Sequence, residues 1–223
     1  MLDRFEGGDA AALVSGGIDS AILSVDLLHR FSRVFPIYVK FGLRWESTES
    51  AALRSFLQAS ARPGLMPLRV LSEPIADVYG EHWSTSSDNV PSSDAPDEAV
   101  YLPGRNLLLI AKAAIFCRLE EISTLALGSL ASNPFPDATP EFYDAFEAVL
   151  DRALASRIRL LRPFAGMNKT DVLRRGAGLP LGKTFSCLRP VGGRHCGRCN
   201  KCSERRRAFR NLDWVDPTVY ADA

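Results

Sequence analysis

Residues 10–20 read Ala10-Ala11-Ala12-Leu13-Val14-Ser15-Gly16-Gly17-Ile18-Asp19-Ser20, and the change of period inside this stretch decides the fold. Ala11 to Val14 is a short apolar run, whereas after Gly17 the apolar residues Ile18, Ala21, Ile22, Val25 and Leu28 return at helical spacing. Such a pattern predicts strand, tight loop, helix. In that setting the backbone N–H groups of the loop and of the helix N-terminus converge where an anion is stabilised. Gly16 and Gly17 let the backbone come close to it, and Ser15 and Ser20 add hydroxyl donors. Asp19 would repel a bare phosphate, but it fits a nucleotide that arrives with Mg2+. A glycine turn that merely joined strand to helix would need none of these side chains.

Outward from the loop, Val34 to Phe41 is rich in β-branched and aromatic residues, and Leu68 to Leu71, Ile122 to Leu127 and Ile158 to Leu161 are further short apolar runs. Helical patterns lie between them: Glu46 to Leu57, Leu107 to Phe116, a segment opened by Thr139-Pro140 and running to about Ala155, and Asn168 to Gly176. The alternation predicts an α/β fold, a doubly wound and mainly parallel sheet over residues 1–162, followed by a C-terminal helical segment over 163–223. Leu107 to Phe116 is apolar nearly all round and is expected to be buried. Ser84 to Glu98 is almost entirely Ser, Thr, Asp, Asn, Pro and Ala, a composition expected of a mobile loop or lid. Gly182-Lys183-Thr184 is similar to the end of a Walker A loop, but Ala177 stands where that motif needs glycine, and Pro180 interrupts it. A turn is expected there.

With 223 residues the chain can bury one sizeable core and a small appendage. No apolar run approaches the roughly 20 residues that span a bilayer, and the acids Asp3, Glu6 and Asp9 do not read as a secretion signal. A cytoplasmic protein without a membrane partner is expected. A formal charge of +1 supplies too little basic surface to expect a nucleic-acid partner. His29 ends an amphipathic helix and His82 adjoins the polar loop, places where histidine is usually structural or solvated.

Four of the five cysteines, Cys187, Cys196, Cys199 and Cys202, fall within sixteen residues, the last three with two residues between neighbours. In a reducing compartment this spacing points to one tetrahedral Zn2+ held by four thiolates, a closed shell and hence a structural metal. The basic residues Arg189, Arg194, Arg198, Lys201 and Arg205 to Arg207 are expected to offset the net charge of that site. His195 is expected to pack or hydrogen-bond beside the metal. Cys117 stands apart in an apolar helix, as a buried small hydrophobe would.

At this point the residues resemble a known family. Ser15-Gly16-Gly17-Ile18-Asp19-Ser20 is similar to the PP-loop of ATP pyrophosphatases. His195-Cys196-Gly197-Arg198-Cys199-Asn200-Lys201-Cys202, followed by Arg205, Arg207, Ala208 and Phe209, resembles the C-terminus of the 7-cyano-7-deazaguanine synthases. Pro103-Gly104-Arg105-Asn106, Pro136-Asp137, Pro140-Glu141-Phe142, Lys169 and Thr184-Phe185-Ser186-Cys187 follow the family's order between them. The resemblance implies an adenine-nucleotide α-hydrolase-like sheet in a homodimer, using ATP, Mg2+ and Zn2+. It also implies a ligase that joins a small-molecule carboxylate, 7-carboxy-7-deazaguanine, to ammonia through adenylated intermediates and carries the amide on to the nitrile. In that light Asp19, Arg105 and Lys169 are the catalytic candidates, the loop from Ser15 to Ser20 binds ATP, and Asn106 and Asp137 face nucleotide or substrate. The ammonia is expected free or from a separate donor.

Two segments depart from the family. Where it usually shows Tyr-Gly-Gln-Arg-His, this chain has Phe41-Gly42-Leu43-Arg44-Trp45, losing two polar side chains. The stretch from Gly128 to Asp137 is shorter and carries Ser129, Asn133 and Phe135 in place of acidic and aromatic residues. A related PP-loop enzyme adenylating another carboxylate is therefore an alternative. A tRNA thiolase would want a catalytic cysteine outside the metal site and a basic face. From a different class, a nucleotide-binding interaction module without catalysis would leave no reason to keep Asp19 and both serines.

Overall fold

The computed structural model describes residues 6–86 and 88–222; Asp3, and Ser87 of the polar loop, lie outside them. The strands are β1 (Asp9–Leu13), β2 (Arg33–Lys40), β3 (Arg69–Ser72), β4 (Thr124–Ala126) and β5 (Arg159–Leu161). The helices are α1 (Ile18–Asp26), α2 (Glu46–Ala59), α3 (Ala76–Tyr79), α4 (Arg105–Leu119), α5 (Pro140–Leu154), α6 (Lys169–Arg175) and α7 (Asn200–Arg210). All strand pairs are parallel, in the order β3-β2-β1-β4-β5. The doubly wound sheet expected from the alternation of elements is thus present.

β1 is central and shows why a parallel sheet reads as unbroken apolar sequence. Ala11 and Leu13 face one side, packing with Ile110, Ala113 and Ala114 of α4; Ala10 and Ala12 face the other, with Ile22 of α1, Val172 and Leu173 of α6 and Ala208 and Phe209 of α7. The chain leaves β1 toward β2 on one side, while β4 and β5 lie on the other, so the order reverses between β1 and β4. Ligands in such sheets bind outside the carboxyl ends of the strands at that switch point. Here the loop after β1 and the Gly128-Ser129 turn after β4 meet there: a Cβ on Gly128 would sit 3.4 Å from the backbone of Asp19 and Ser20.

Several local signals act as their chemistry dictates. The Thr139 hydroxyl accepts the Phe142 N–H at the start of α5 (3.2 Å), and Asn168 with Asp171 forms a reciprocal cap on α6. Cys117 is fully buried, and burial pushes its thiol up to about 12, which leaves it inert. Gly182-Lys183-Thr184 lies in a 3-10 turn, Leu181–Lys183, and its end.

Three expectations change. α4 is buried on one face only; Leu107, Ile115 and Leu119 are exposed because the sheet lies on one side of the helix. The polar loop is tied rather than free: the Ser93 N–H donates to Arg198 O (3.0 Å) and the Asn200 N–H to Pro91 O (3.1 Å), while Asn200 Nδ2 donates to Ala95 O (2.8 Å). Backbone pairing, to which composition is blind, supplies the order that the polar side chains do not. Finally, Leu43 and Trp45 enter the core, and Trp45 stacks on Trp83 at 5.8 Å. The departure at 41–45 is thus a packing change.

α6 approaches α1 through Gly176, where a Cβ would fall 2.4 and 2.7 Å from two atoms of the fully buried Ile22 side chain. Gly176→Ala is expected to cost about 1–3 kcal/mol of stability through overpacking. Denaturant unfolding measures this, and an unchanged midpoint would show that the helices part without cost.

Candidate active site

The loop after β1 turns on Gly16, whose φ of +84° is left-handed and where a Cβ would lie 3.0 Å from Glu49 O. Gly17 is the N-cap of α1 and offers no side chain to its first N–H groups. Those donors stay open to an anion. The two serines brace the turn instead: the Ser15 N–H donates to Ser20 Oγ (3.0 Å), and the two hydroxyls lie 3.2 Å apart. The Ser20 hydroxyl also reaches Gly17 O (3.2 Å). Ile18 points into the core, so its part in the loop is its backbone alone. From the C-terminal segment, the Phe185 N–H donates to Gly16 O (2.7 Å).

A cavity of about 280 Å3 opens over this loop. Its lining carries four cationic side chains, Arg105, Lys169, Lys201 and Arg205, against two carboxylates, Asp19 and Glu204. Lys169 Nζ lies between Asp19 Oδ2 (2.6 Å) and Glu204 Oε1 (3.1 Å), and Lys201 Nζ lies 2.7 Å from Glu204 Oε2. Burial alone would lower the Lys169 pKa, yet the two carboxylates hold it above its ordinary value. Burial alone would raise Glu204, yet Lys169 and Lys201 hold it at about 2. Lys169 and Glu204 are therefore charged at neutral pH. Asp19 Oδ1 and Arg105 Nε are buried without a protein partner, an arrangement that suits an incoming polar ligand.

The remaining candidates divide. Asn106 lines the cavity, but Asp137 is not among its lining residues. Asp137 Oδ2 accepts the Asn106 N–H (3.0 Å), and Asn106 Nδ2 reaches Asp137 O (3.0 Å) and Oδ1 (3.3 Å). The pair closes the first turn of α4, a task for a carboxylate at a helix N-terminus. Burial raises the Asp137 pKa. Ser129 and Asn133, of the shortened segment, do line the cavity, and Ser129 Oγ lies 2.7 Å from Tyr143 OH.

Sequence reasoning missed Glu204 and the pair Tyr38–Glu49. The Tyr38 hydroxyl donates to Glu49 Oε2 (2.7 Å) beneath the loop. Burial pushes the Glu49 carboxyl up to about 7, against the pull of Arg105 and of the Tyr38 hydrogen bond. Glu49 lies on α2 with ordinary helical spacing, so no local signal marks it; Glu204 sits two residues beyond Cys202, where the cysteine spacing is the stronger local signal.

The sulfur atoms of Cys187, Cys196, Cys199 and Cys202 all lie within 4.8 Å of one another and are buried. Tetrahedral bonds of about 2.3 Å to one Zn2+ require sulfurs about 3.8 Å apart, and Cys196 and Cys202 stand at 4.0 Å. The donor set fits such a metal. Backbone N–H groups face the sulfurs: those of Arg189 and Cys196 reach Cys187 Sγ, that of Leu188 reaches Cys199 Sγ, and that of Arg198 reaches Cys196 Sγ, at 3.2–3.5 Å. The expected basic shield is only partly realised. Arg205 is buried and donates to Thr184 Oγ1 and Leu181 O (2.8 and 2.9 Å), and Arg206 to Asp222 Oδ1 (2.7 Å). These guanidinium groups clamp the chain around the cluster, because a fixed fork of donors bonds best to fixed acceptors. His195 accepts the Ser186 N–H at Nε2 (3.2 Å) and packs against Phe185; burial lowers its pKa to about 3, so it is neutral.

A sequence profile described as "Queuosine biosynthesis protein QueC" matches residues 9–213. The chain belongs to the QueC family. Within it, the 7-cyano-7-deazaguanine synthase of Persephonella marina is 32% identical over 92% of this chain and 93% of its own length. That of Methanosphaerula palustris is 28% identical over 96% of this chain and 99% of its own length. Among solved structures, a 4-thiouridine synthetase bound to RNA and ATP is similar with a TM-score of 0.49 and 18% identity, over 92% of this chain and 50% of that one. The QueC match spans both the β1–α1 loop and the four cysteines.

Glu49 has a folded-state pKa of about 7 against an ordinary 4.5. A raised carboxyl pKa favours the folded state below the ordinary value, and that advantage is lost as pH rises toward 7. The difference amounts to about 3 kcal/mol. Glu49→Gln is expected to gain about that much on the wild type between pH 4.5 and 7, read by urea unfolding across the range; parallel curves would place the Glu49 carboxylate in water.

Proposed function

We propose that this QueC-family chain converts 7-carboxy-7-deazaguanine and ammonia to 7-cyano-7-deazaguanine at the expense of ATP. The observation that carries the reading is the open N-terminus of α1 beneath a cavity with more cations than carboxylates, in a chain that covers its 7-cyano-7-deazaguanine synthase relatives nearly end to end. Three phosphates carry more negative charge than any neutral substrate, and this cavity is built to accept it.

In this reading a carboxylate oxygen attacks the α-phosphorus of ATP and pyrophosphate departs. Ammonia then adds to the acyl carbon, loses a proton and displaces AMP, leaving the amide. The amide oxygen attacks the α-phosphorus of a second ATP and pyrophosphate again departs; loss of AMP and of both nitrogen-bound protons then leaves the nitrile. No protein nucleophile is needed. The Ser15–Ser20 loop holds the pyrophosphate, Lys169 and Arg105 stabilise charge on it as it leaves, and Asn106 orients substrate at the start of α4. Asp19, with one oxygen unpartnered, is the residue that would meet Mg2+, which neutralises phosphate charge when bound. Cys187, Cys196, Cys199 and Cys202 would hold Zn2+, which supplies folding energy.

A second reading, a QueC-family enzyme that adenylates another carboxylate, draws on Ser129 and Asn133, which line the cavity in the segment that departs from the family. Mass spectrometry after incubation with Mg-ATP, ammonia and 7-carboxy-7-deazaguanine separates the two. Amide and nitrile support the main reading; unchanged acid, with AMP formed on another carboxylate, supports the second.

Turnover is expected to release AMP and pyrophosphate, and Lys169→Met to lower kcat about 100-fold, as loss of one stabilising donor does. Release of ADP and phosphate would reject the mechanism. Purified protein is expected to carry about one zinc per chain, and Cys199→Ser to lose metal and cooperative unfolding together; a stable metal-free variant would reject the structural role.

A further inference from the structure

Glu204 is the one charged group in the cavity whose sign works against a triphosphate and which has no part in the mechanism above. It stands on α7, the helix whose N-cap is Cys199 and whose first turn holds Cys202. Three residues apart on one face, Lys201 and Glu204 turn toward the cavity, and Cys202 is buried beside the other thiols. The Glu204 carboxylate is used at both oxygens: Oε1 lies 3.1 Å from Lys169 Nζ and Oε2 lies 2.7 Å from Lys201 Nζ.

Lys169 needs such a partner because of where it sits. It is the first residue of α6, after the cap at Asn168, and a cation at a helix N-terminus meets the positive end of the helix dipole. Its ammonium group is held over the phosphate loop by two carboxylates, Asp19 at 2.6 Å and Glu204. Asp19 cannot serve two masters: on the side of the loop it is also the group placed to meet a nucleotide's cation. Once it turns to that cation, Glu204 is the carboxylate left to hold Lys169.

We propose that Glu204 is a positioning residue that acts through Lys169, so that the cysteine-bearing helix aims the cation that works on the departing pyrophosphate. This rests on the functional reading above and adds to it a residue outside the loop and outside the metal ligands. Because Glu204 is itself negative, its loss removes aim without removing attraction for phosphate. The signature is a fall in kcat with no rise in the KM for ATP, the reverse of what loss of a simple binding contact does.

The test uses the full-length, metal-loaded protein with Glu204→Gln, Glu204→Asp, Lys169→Met and the double variant Glu204→Gln/Lys169→Met. Glu204→Gln is expected to lower kcat about tenfold, a displacement of the reacting groups by less than 1 Å being enough for that. The KM for ATP stays level or falls, zinc content and the thermal midpoint hold, and Glu204→Asp recovers part of the rate. In the Lys169→Met background Glu204→Gln has no further effect on residual turnover, since coupled residues are not additive. An unchanged kcat, a raised KM with kcat intact, loss of zinc, or equal effects in both backgrounds would each overturn the proposal. Wild-type protein that binds Mg-ATP but gives no AMP fails the functional reading alone; crystals of wild type and Glu204→Gln with Mg-ATP then decide this one, with Lys169 expected to leave its place over the loop in the variant and an unmoved Lys169 overturning the proposal. Protein that binds no Mg-ATP overturns both.

Discussion

A helix beginning at Ile18 leaves its first backbone N–H groups without an intrahelical acceptor, and Gly17 at the N-cap has no side chain to take them. Everything around that end is arranged to keep the donors open and the turn rigid. Gly16 takes the left-handed bend against the backbone of Glu49, the two serines hydrogen-bond across the loop, and Phe185 pins it from a segment 169 positions further on. An anion site made of backbone is stable only if the backbone cannot collapse onto it, and these contacts prevent collapse.

The second constraint is that the site is assembled from both ends of the chain. Asp19 follows the first strand, Lys169 opens the sixth helix, and Lys201 and Glu204 ride on the seventh. The seventh helix is set by cysteines: its N-cap and first turn carry two of the four clustered thiols. Hydrogen bonds from the Cys187 and Cys202 thiols lower the Cys199 pKa, and the contacts with Cys187 and Cys199 raise that of Cys202. Arg205 then fastens that helix to the 181–186 segment, which in turn carries the Phe185 contact to the loop. The chain of contacts from the cysteine cluster to the β1–α1 loop is continuous.

The two segments that differ from the expected family pattern, 41–45 and 128–137, have different places in the fold. Leu43 and Trp45 are buried in the core, and Glu46 receives the Phe41 and Gly42 N–H groups at the turn between β2 and α2. Apolar bulk there stabilises the approach of α2 without touching the cavity. Ser129 and Asn133 do touch it. Of the two segments, the one at the end of β4 reaches the cavity and the one after β2 packs the core.

The period change at residues 10–20 determined the strand-loop-helix unit, and four cysteines in sixteen residues determined the cysteine cluster, because both depend on neighbours in sequence. Thr139 and Asn168 were likewise legible as caps, since a cap bonds to the helix it starts. What only the tertiary structure decided lies between distant segments. Residues 91–95 of the polar loop are tied by hydrogen bonds to 198–200, Arg205 and Arg206 clamp the chain around the cysteine cluster, and Asp137 closes α4 through Asn106. Glu49 and Glu204 gain their roles only from what folds against them. Local periodicity is a property of consecutive residues, whereas the partner of a buried charge is chosen by the packing of elements far apart in sequence, and no spacing rule encodes that choice.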